Sequence, residues 1–324
     1  MKTSSKVLTL MLSAVLTLSL TGCLKTDQRQ NAKLTIGIIQ YVEHQALDAS
    51  REGFLAALAT KGYKDGENIE VDYQNAQGDQ ANLSTIGDRF VGRKVDLILA
   101  IATPAAQSVA GKTTTIPILG TAITDYEVAR LVNSKEKPGG NVSGTTDMNP
   151  IQEQIDLLVK LAPDTKTIGL LYTSSEDNSV LQAQIAKQAI ESLGLTYVEA
   201  TISNSNEVQQ ATQSIVNQAD AIYIPTDNIF ASAMPVVYGV TAHSKTPVVC
   251  GESGMVEAGG LATLGINYYD LGYQTGLMAI RILEGEDIAT MPIESPKDFD
   301  FTINGEVAQE IGVVIPSDLA KYVK

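Results

Sequence analysis

Three loops carry the side chains best suited to chemistry. Ser174-Ser175-Glu176-Asp177-Asn178-Ser179 packs hydroxyls, acids and an amide into six residues, while Ile224-Pro225-Thr226-Asp227-Asn228 and Cys250-Gly251-Glu252-Ser253 set single acids among short polar side chains. Each follows a β-rich run and precedes a helix-like stretch, where the free N–H groups of a helix N-terminus can hold an anion. The Ser174–Ser175 loop, with Asn178, is the densest candidate anion cradle. Asp227 suits an ammonium group, because a carboxylate at a strand end is costly to bury unpaired, and Asn228 is placed to cap the helix that follows. In Ala102-Thr103-Pro104 the proline fits a first helical turn, so Thr103 and nearby N–H groups can take a carboxylate; a plain N-cap explains Thr103 equally well. Gln40 and His44 after the first strand, Thr121 and Ala122 after the fourth, and Glu252 with Ser253 complete the candidate binding set. The rings of Tyr41 and Tyr126 are suited to cover an apolar ligand group, Tyr268 and Tyr269 to crossover packing, and Cys250 to a buried apolar position.

Covalent catalysis finds little support. Gly251-Glu252-Ser253-Gly254 is not a nucleophile elbow, since Met255 stands where Gly-x-Ser-x-Gly needs its second glycine. Gly111-Lys112-Thr113 lacks the phosphate-loop glycine, having Ala106 there, and it follows a helix instead of opening one. Two histidines, His44 and His243, and two cysteines, Cys23 and Cys250, make neither a triad nor a zinc cluster. No dinucleotide fingerprint is present, so the expectation is a non-enzyme without metal or cofactor.

These loops need a scaffold that gathers strand ends. From Leu34 onward, β-rich runs alternate with amphipathic stretches: strands at 34–39, 69–73, 97–101 and 116–119, with helices near 82–91 and 105–109. After the breaker Pro138-Gly139-Gly140-Asn141 the pattern restarts, with strands at 167–172, 196–201, 221–224, 247–249 and 262–266 and helices near 151–161, 180–193, 207–216 and 230–242. Ile36-Gly37-Ile38-Ile39 and Ile168-Gly169-Leu170-Leu171 open the two halves alike. Such alternation predicts an α/β protein of two doubly wound parallel sheets with a ligand cleft between them, closing by hinge motion. A long helix at 269–283 and a strand at 299–303 predict three crossovers. The expected lobes are 33–146 plus 268–294 and 147–267 plus 295–324.

The chain has 324 residues and a net charge of −14, which disfavours nucleic acid as a partner. Lys2 and Lys6 precede a fourteen-residue uncharged run, Val7 to Leu20, too short to span a bilayer as a mature helix. With Leu20-Thr21-Gly22-Cys23 it reads as a lipoprotein signal peptide over 1–22, lipidation at Cys23, and a polar tether over 23–32. The protein is thus expected outside the cytoplasm, tethered to the bacterial cell membrane.

Ala46-Leu47-Asp48, Gly78-Asp79-Gln80, Ala102-Thr103-Pro104-Ala105-Ala106-Gln107, Ala122-Ile123-Thr124-Asp125, Gly140-Asn141-Val142-Ser143-Gly144, the 174–179 loop, Pro225-Thr226-Asp227-Asn228 and 255–262 together resemble the solute-binding lipoproteins of ABC importers whose characterised members bind aromatic amino acids. The likeness runs nearly end to end. It implies a type I periplasmic-binding-protein fold, an amino acid (tryptophan, phenylalanine or tyrosine) in the cleft, ABC permease subunits as partners, and Thr103, Ser174, Ser175, Asp227 and Asn228 near the amino-acid backbone. A monomer is expected. Relatives usually carry proline where this chain has Tyr126. The alternatives are a membrane-anchored sensor or adhesin on the same scaffold, or a receptor for another small solute.

Overall fold

A computed structural model describes residues 33–324; the signal peptide, Cys23 and the tether lie outside the described residues. Residues 34–324 form one compact unit. Its first sheet has the order β2-β1-β3-β4-β5, from β1 (Leu34–Gln40), β2 (Ile69–Asn75), β3 (Leu97–Ile101), β4 (Ile118–Ile123) and β5 (Val142–Thr146), all parallel. Burial on both faces explains why β3, β4 and β5 are buried throughout their length. The connecting helices are α1 (Gln45–Thr60), α2 (Gln80–Arg93) and α3 (Thr103–Ala110). Asp79 starts α2 by accepting the Asn82 N–H at 2.8 Å.

The second sheet has the order β11-β10-β9-β8-β6-β7, from β6 (Thr167–Thr173), β7 (Thr196–Ile202), β8 (Ala221–Ile224), β9 (Val248–Cys250), β10 (Ala262–Gly265) and β11 (Asp300–Ile303). Between its strands run α4 (Ile151–Leu161), α5 (Asp177–Ser192), α6 (Val208–Ile215), α7 (Asn228–Ser232), α8 (Met234–Ser244) and α9 (Ser253–Glu257); α10 (Tyr268–Leu283) and α11 (Gly305–Ile311) follow. The α/β scaffold with two mostly parallel sheets is as expected from the alternation. Around each sheet lies a lobe. The chain leaves the first sheet after β5 and returns to it after β10, because α10 packs along α1, then leaves again before β11. That contact is close because glycines face it: a Cβ on Gly272 would lie 1.9 Å from the Ser50 carbonyl oxygen, and one on Gly53 2.0 Å from that of Tyr269. Among the described residues no helix is long and apolar enough to cross a membrane.

Three local expectations need correction. Residues 142–146, next to the breaker cluster, form strand β5; its Gly144 (φ +145°) lies so near Gly120 that a Cβ would meet the Gly120 carbonyl oxygen at 2.1 Å. The helix expected over 230–242 is broken at Ala233, since Pro235 in the first turn of α8 has no N–H for a continuous ladder. The last strand pairs antiparallel with β10, so the second sheet is not wholly parallel.

Candidate functional site

The strand ends of both sheets face one another around a narrow, nearly filled cavity. The lobe of the first sheet contributes His44, Leu47 and Ala122, and the second contributes Asn178, Thr226, Asp227, Asn228, Ala231 and Glu252. Asp147, on the segment leaving β5, and Tyr268, first residue of α10, close it at the crossings. The two are joined: the Tyr268 hydroxyl donates to Asp147 Oδ2 at 2.8 Å, and Thr124 Oγ1 donates to Oδ1 at 2.9 Å.

Each acid is fixed by local structure. Asp227 caps α7, accepting from Phe230 N at 2.9 Å, and also binds Thr173 N at 2.6 Å and Thr173 Oγ1 at 2.8 Å. Asp227, not Asn228, is thus the helix cap, and Asn228 is the first helical residue. Glu252 caps α9 through Gly254 N at 2.5 Å and Met255 N at 2.8 Å. Behind the lining sits buried Glu176, whose Oε2 accepts from Asn228 Nδ2 at 2.5 Å and Asn178 Nδ2 at 3.3 Å. Burial, reinforced by the charge of Asp227, pushes Glu176 up to about 8; burial, reinforced by the charges of Glu257 and Asp147, lifts Glu252 to about 7, and burial raises Asp147 and Asp227. Burial holds His44 down to about 4, so it is neutral. No lysine or arginine lines the cavity. Four buried carboxyls without a countercharge favour a guest with an ammonium group.

Unpartnered polar atoms gather here too. His44 Nδ1, Asn178 Oδ1 and Thr226 Oγ1 belong to lining residues, and Glu176 Oε1 lies just behind; all are buried without a hydrogen-bond partner. Buried polar atoms are rarely left so, and a bound ligand would complete them. Thr103 Oγ1 is likewise unpartnered, at the start of α3. The N-cap there is Ala102, held at φ +83°, and its side chain makes no capping bond, so the cap reading of Thr103 does not hold. Ala122 also adopts a left-handed conformation, φ +56°, where β4 shifts register against β5. Two strained alanines at adjacent strand ends mark a built site.

Other candidates fall elsewhere. Ser174 and Ser175 are exposed outside the lining, Ser174 Oγ donating to Ile202 O at 3.1 Å. Gln40 is consumed within its own lobe, donating to Val42 O and Asp48 Oδ1, both at 2.9 Å. Thr121 is buried in β4 and Pro104 in α3, while half-buried Ser253 lines a neighbouring groove with Gln45 and Glu257. Tyr126 is no lip residue: it is fully buried, its hydroxyl donating to Thr145 O at 3.0 Å. Tyr41 is also buried outside the lining. Leu47, Asp147, Thr226, Ala231 and Tyr268 are lining residues absent from the binding set read from sequence. Among the described residues no group of three or more potential metal ligands occurs.

Among the described residues, side-chain hydrogen bonds join the lobes across the cleft: His44 with Asn228 (3.4 Å), Gln45 with Glu257, Gln107 with Asp177 (2.8 Å), and Gln182 with Thr124 (3.1 Å).

Comparison with known proteins agrees with this geometry. Residues 35–324 match the family described as ABC transporter substrate binding protein. The chain is 42% identical to a tyrosine-binding protein of Clostridioides difficile, over 99% of this chain and 96% of that one. A Streptococcus pneumoniae structure in complex with L-Trp superposes with TM-score 0.87 at 39% identity, covering 90% of this chain and all of that one. The open, ligand-free structure of a C. difficile substrate-binding protein with adhesive properties is 46% identical, covering 90% of this chain and 98% of that one, yet superposes at only 0.68. The lobes here are therefore set closer to the arrangement of the tryptophan complex. A Bacillus halodurans solute-binding protein with bound myo-inositol, 17% identical and covering 87% of this chain and 98% of that one, shares the fold at TM-score 0.62. The chain belongs to the substrate-binding proteins of ABC transporters, extracytoplasmic binding proteins that capture solutes and are not enzymes.

Proposed function

We propose that the protein captures an aromatic amino acid, tyrosine or tryptophan, between its lobes and presents it to an ABC permease. The carrying observation is the cavity, lined by three buried carboxyls with that of Glu176 behind them and by no lysine or arginine, with hydrogen-bonding atoms awaiting a partner. In this reading the ammonium group meets Asp227 and its neighbours. The carboxylate meets the hydroxyls of Thr103 and Thr226 and nearby N–H groups, and the apolar side chains of Leu47, Ala122 and Ala231 meet the ring. The tyrosine-binding and L-Trp-bound relatives support this class of ligand. The protein acts as a monomer on a lipid attached to Cys23 after removal of residues 1–22, and its lobes divide as 33–146 plus 268–294 and 147–267 plus 295–324.

A thermal-shift screen of the purified protein against the twenty amino acids, sugars and nucleosides tests the ligand. A ligand at 100 times its Kd adds about 2.7 kcal/mol of stability. Stabilisation by tyrosine or tryptophan is expected; a response to sugars alone would overturn the ligand class. An adhesive role is favoured by one observation, the 46% identical relative with adhesive properties. Binding of the purified protein to host-cell surfaces, measured with and without the amino acid, addresses it.

A further inference from the structure

The hydrogen bonds around Glu176 fix more than its own position. Its Oε2 takes the Asn228 Nδ2–H at 2.5 Å and the Asn228 backbone N–H at 3.4 Å, which turns the Asn228 amide oxygen toward His44 Nε2, 3.4 Å away across the cleft. An amide oxygen only accepts, so the proton of the neutral imidazole must sit on Nε2. Nδ1 is then a bare lone pair, and it is buried without a partner. Asn178 is oriented alike: its Nδ2 donates to Thr226 O at 3.0 Å and Glu176 Oε2 at 3.3 Å, leaving its unpartnered Oδ1 as an acceptor in the same cavity. Lobe closure thus brings together acceptors from both lobes, His44 Nδ1 from the first and Asn178 Oδ1 from the second, in one cavity.

We propose that His44 is a specificity-determining residue: held as the Nε2–H tautomer by Asn228, and through it by Glu176, it offers Nδ1 to an N–H of the ligand's ammonium group, selecting a primary ammonium over one without N–H. This rests on the amino-acid reading above. Asn178 Oδ1 is a second acceptor for the same group. Neutrality of His44 in the closed cleft agrees, since burial outweighs the nearby charge of Asp48. The titratable groups facing it are Asp48 on α1, Glu176 ahead of α5, Asp227 at the cap of α7, Glu252 at the cap of α9, and Asp147 and Tyr268 at the crossings.

The chain has two histidines, so nitrogen NMR of the protein labelled in histidine is readily assigned, with His243→Gln removing the other set of signals. With saturating L-tyrosine or L-tryptophan, His44 is expected protonated at Nε2 and bare but hydrogen-bonded at Nδ1; a proton on Nδ1 would overturn the proposal. Calorimetry from pH 4.5 to 8 supplies a second readout. An open cleft returns His44 toward the ordinary value near 6.5. Ligand binding must then expel its proton, and native affinity should fall up to tenfold per pH unit below about 6. His44→Phe should lose this limb, while the carboxyls contribute to both profiles. The variant should also lose at least tenfold of the native preference for L-tyrosine over its N,N,N-trimethyl derivative. Parallel profiles and unchanged preference would remove His44 while leaving the amino-acid reading intact; a native protein that binds neither amino acid would take both down.

Discussion

The two lobes contribute unequally to the cavity they share. The first offers Leu47, the strained Ala122 and one neutral histidine; the second offers Asn178, Thr226, Asp227, Asn228 and Glu252, with Glu176 behind them. The difference follows from how each is held. In the second lobe nearly every polar group is fixed by a neighbour in the same lobe, as Asp227 is by Thr173 and Phe230 and Glu252 by α9. That half of the site is preorganised before closure and limits the entropy lost on binding. The first lobe reaches its partners mainly across the cleft, through His44, Gln45, Gln107 and Thr124. One lobe thus recognises and the other closes.

The sharpest break of this contrast is at Asp227. Asp227→Ala leaves the buried N–H groups of Thr173 and Phe230 without an acceptor, so a loss of about 3 kcal/mol in urea denaturation and at least a tenfold loss of ligand affinity are expected. Asp227→Asn separates the two effects. It keeps an acceptor for Phe230 N but sets an NH2 against the Thr173 N–H, so about 1–2 kcal/mol of stability should be lost, less than in the alanine variant, while the affinity loss persists. Native affinity in Asp227→Asn would show that the second lobe is not the anchor.

Gly272→Ala tests the first lobe as a rigid lid. The new Cβ would sit 1.9 Å from a carbonyl of α1, forcing apart the α1–α10 contact, and about 3 kcal/mol should be lost by urea denaturation. Because α10 begins with Tyr268, which holds Asp147, calorimetry should also show weaker ligand binding. A stable variant with native affinity would mean that the contact is compliant.

Much of this division was legible from the amino acids alone. The continuous apolar runs announce the two sheets, and the loops around 174–179, 224–228 and 250–253 announce the second lobe's share of the site, because strand, polar loop and helix follow in order. Asp147 and Tyr268 escaped because crossing segments carry no such sequence, and Leu47 and Ala231 because they sit inside helices, where an apolar residue reads as core. The left-handed Ala122 leaves no trace, since its backbone is imposed by the register shift between β4 and β5. Ser174 and Ser175 show the converse failure. Their density of hydroxyls is real, but one turn of α5 separates an exposed loop from the buried face that carries Asn178.

A pH experiment sharpens the comparison further. Glu176 at about 8 and Glu252 at about 7 bind protons in the folded protein that they would release when unfolded, so stability without ligand should fall as pH rises from 6.5 to 8. His44 contributes little in this window, since its value in the folded protein is lowered by burial in a closed cleft and ordinary, near 6.5, in an open one. An ammonium group bound beside the carboxyls should cancel the fall, and thermal melts at both pH values with and without tyrosine would show it. A decline equally steep with ligand would place the ammonium away from these acids.

The smallest expected effect lies on the closing side. The Gln107 amide donates to Asp177 across the cleft at 2.8 Å, in an exposed position, so Gln107→Ala should cost about 0.5–1 kcal/mol of closure, a two- to fivefold weaker affinity. This bond forms only when the lobes meet, so stopped-flow measurement should place most of the loss in the dissociation rate. The urea midpoint should hardly move, because the same side chain reaches only the Ala129 carbonyl, at 3.2 Å, within its own lobe. A loss seen instead in the association rate would mean that the lobes are latched before the ligand arrives, reversing the order in which recognition and closure divide the work.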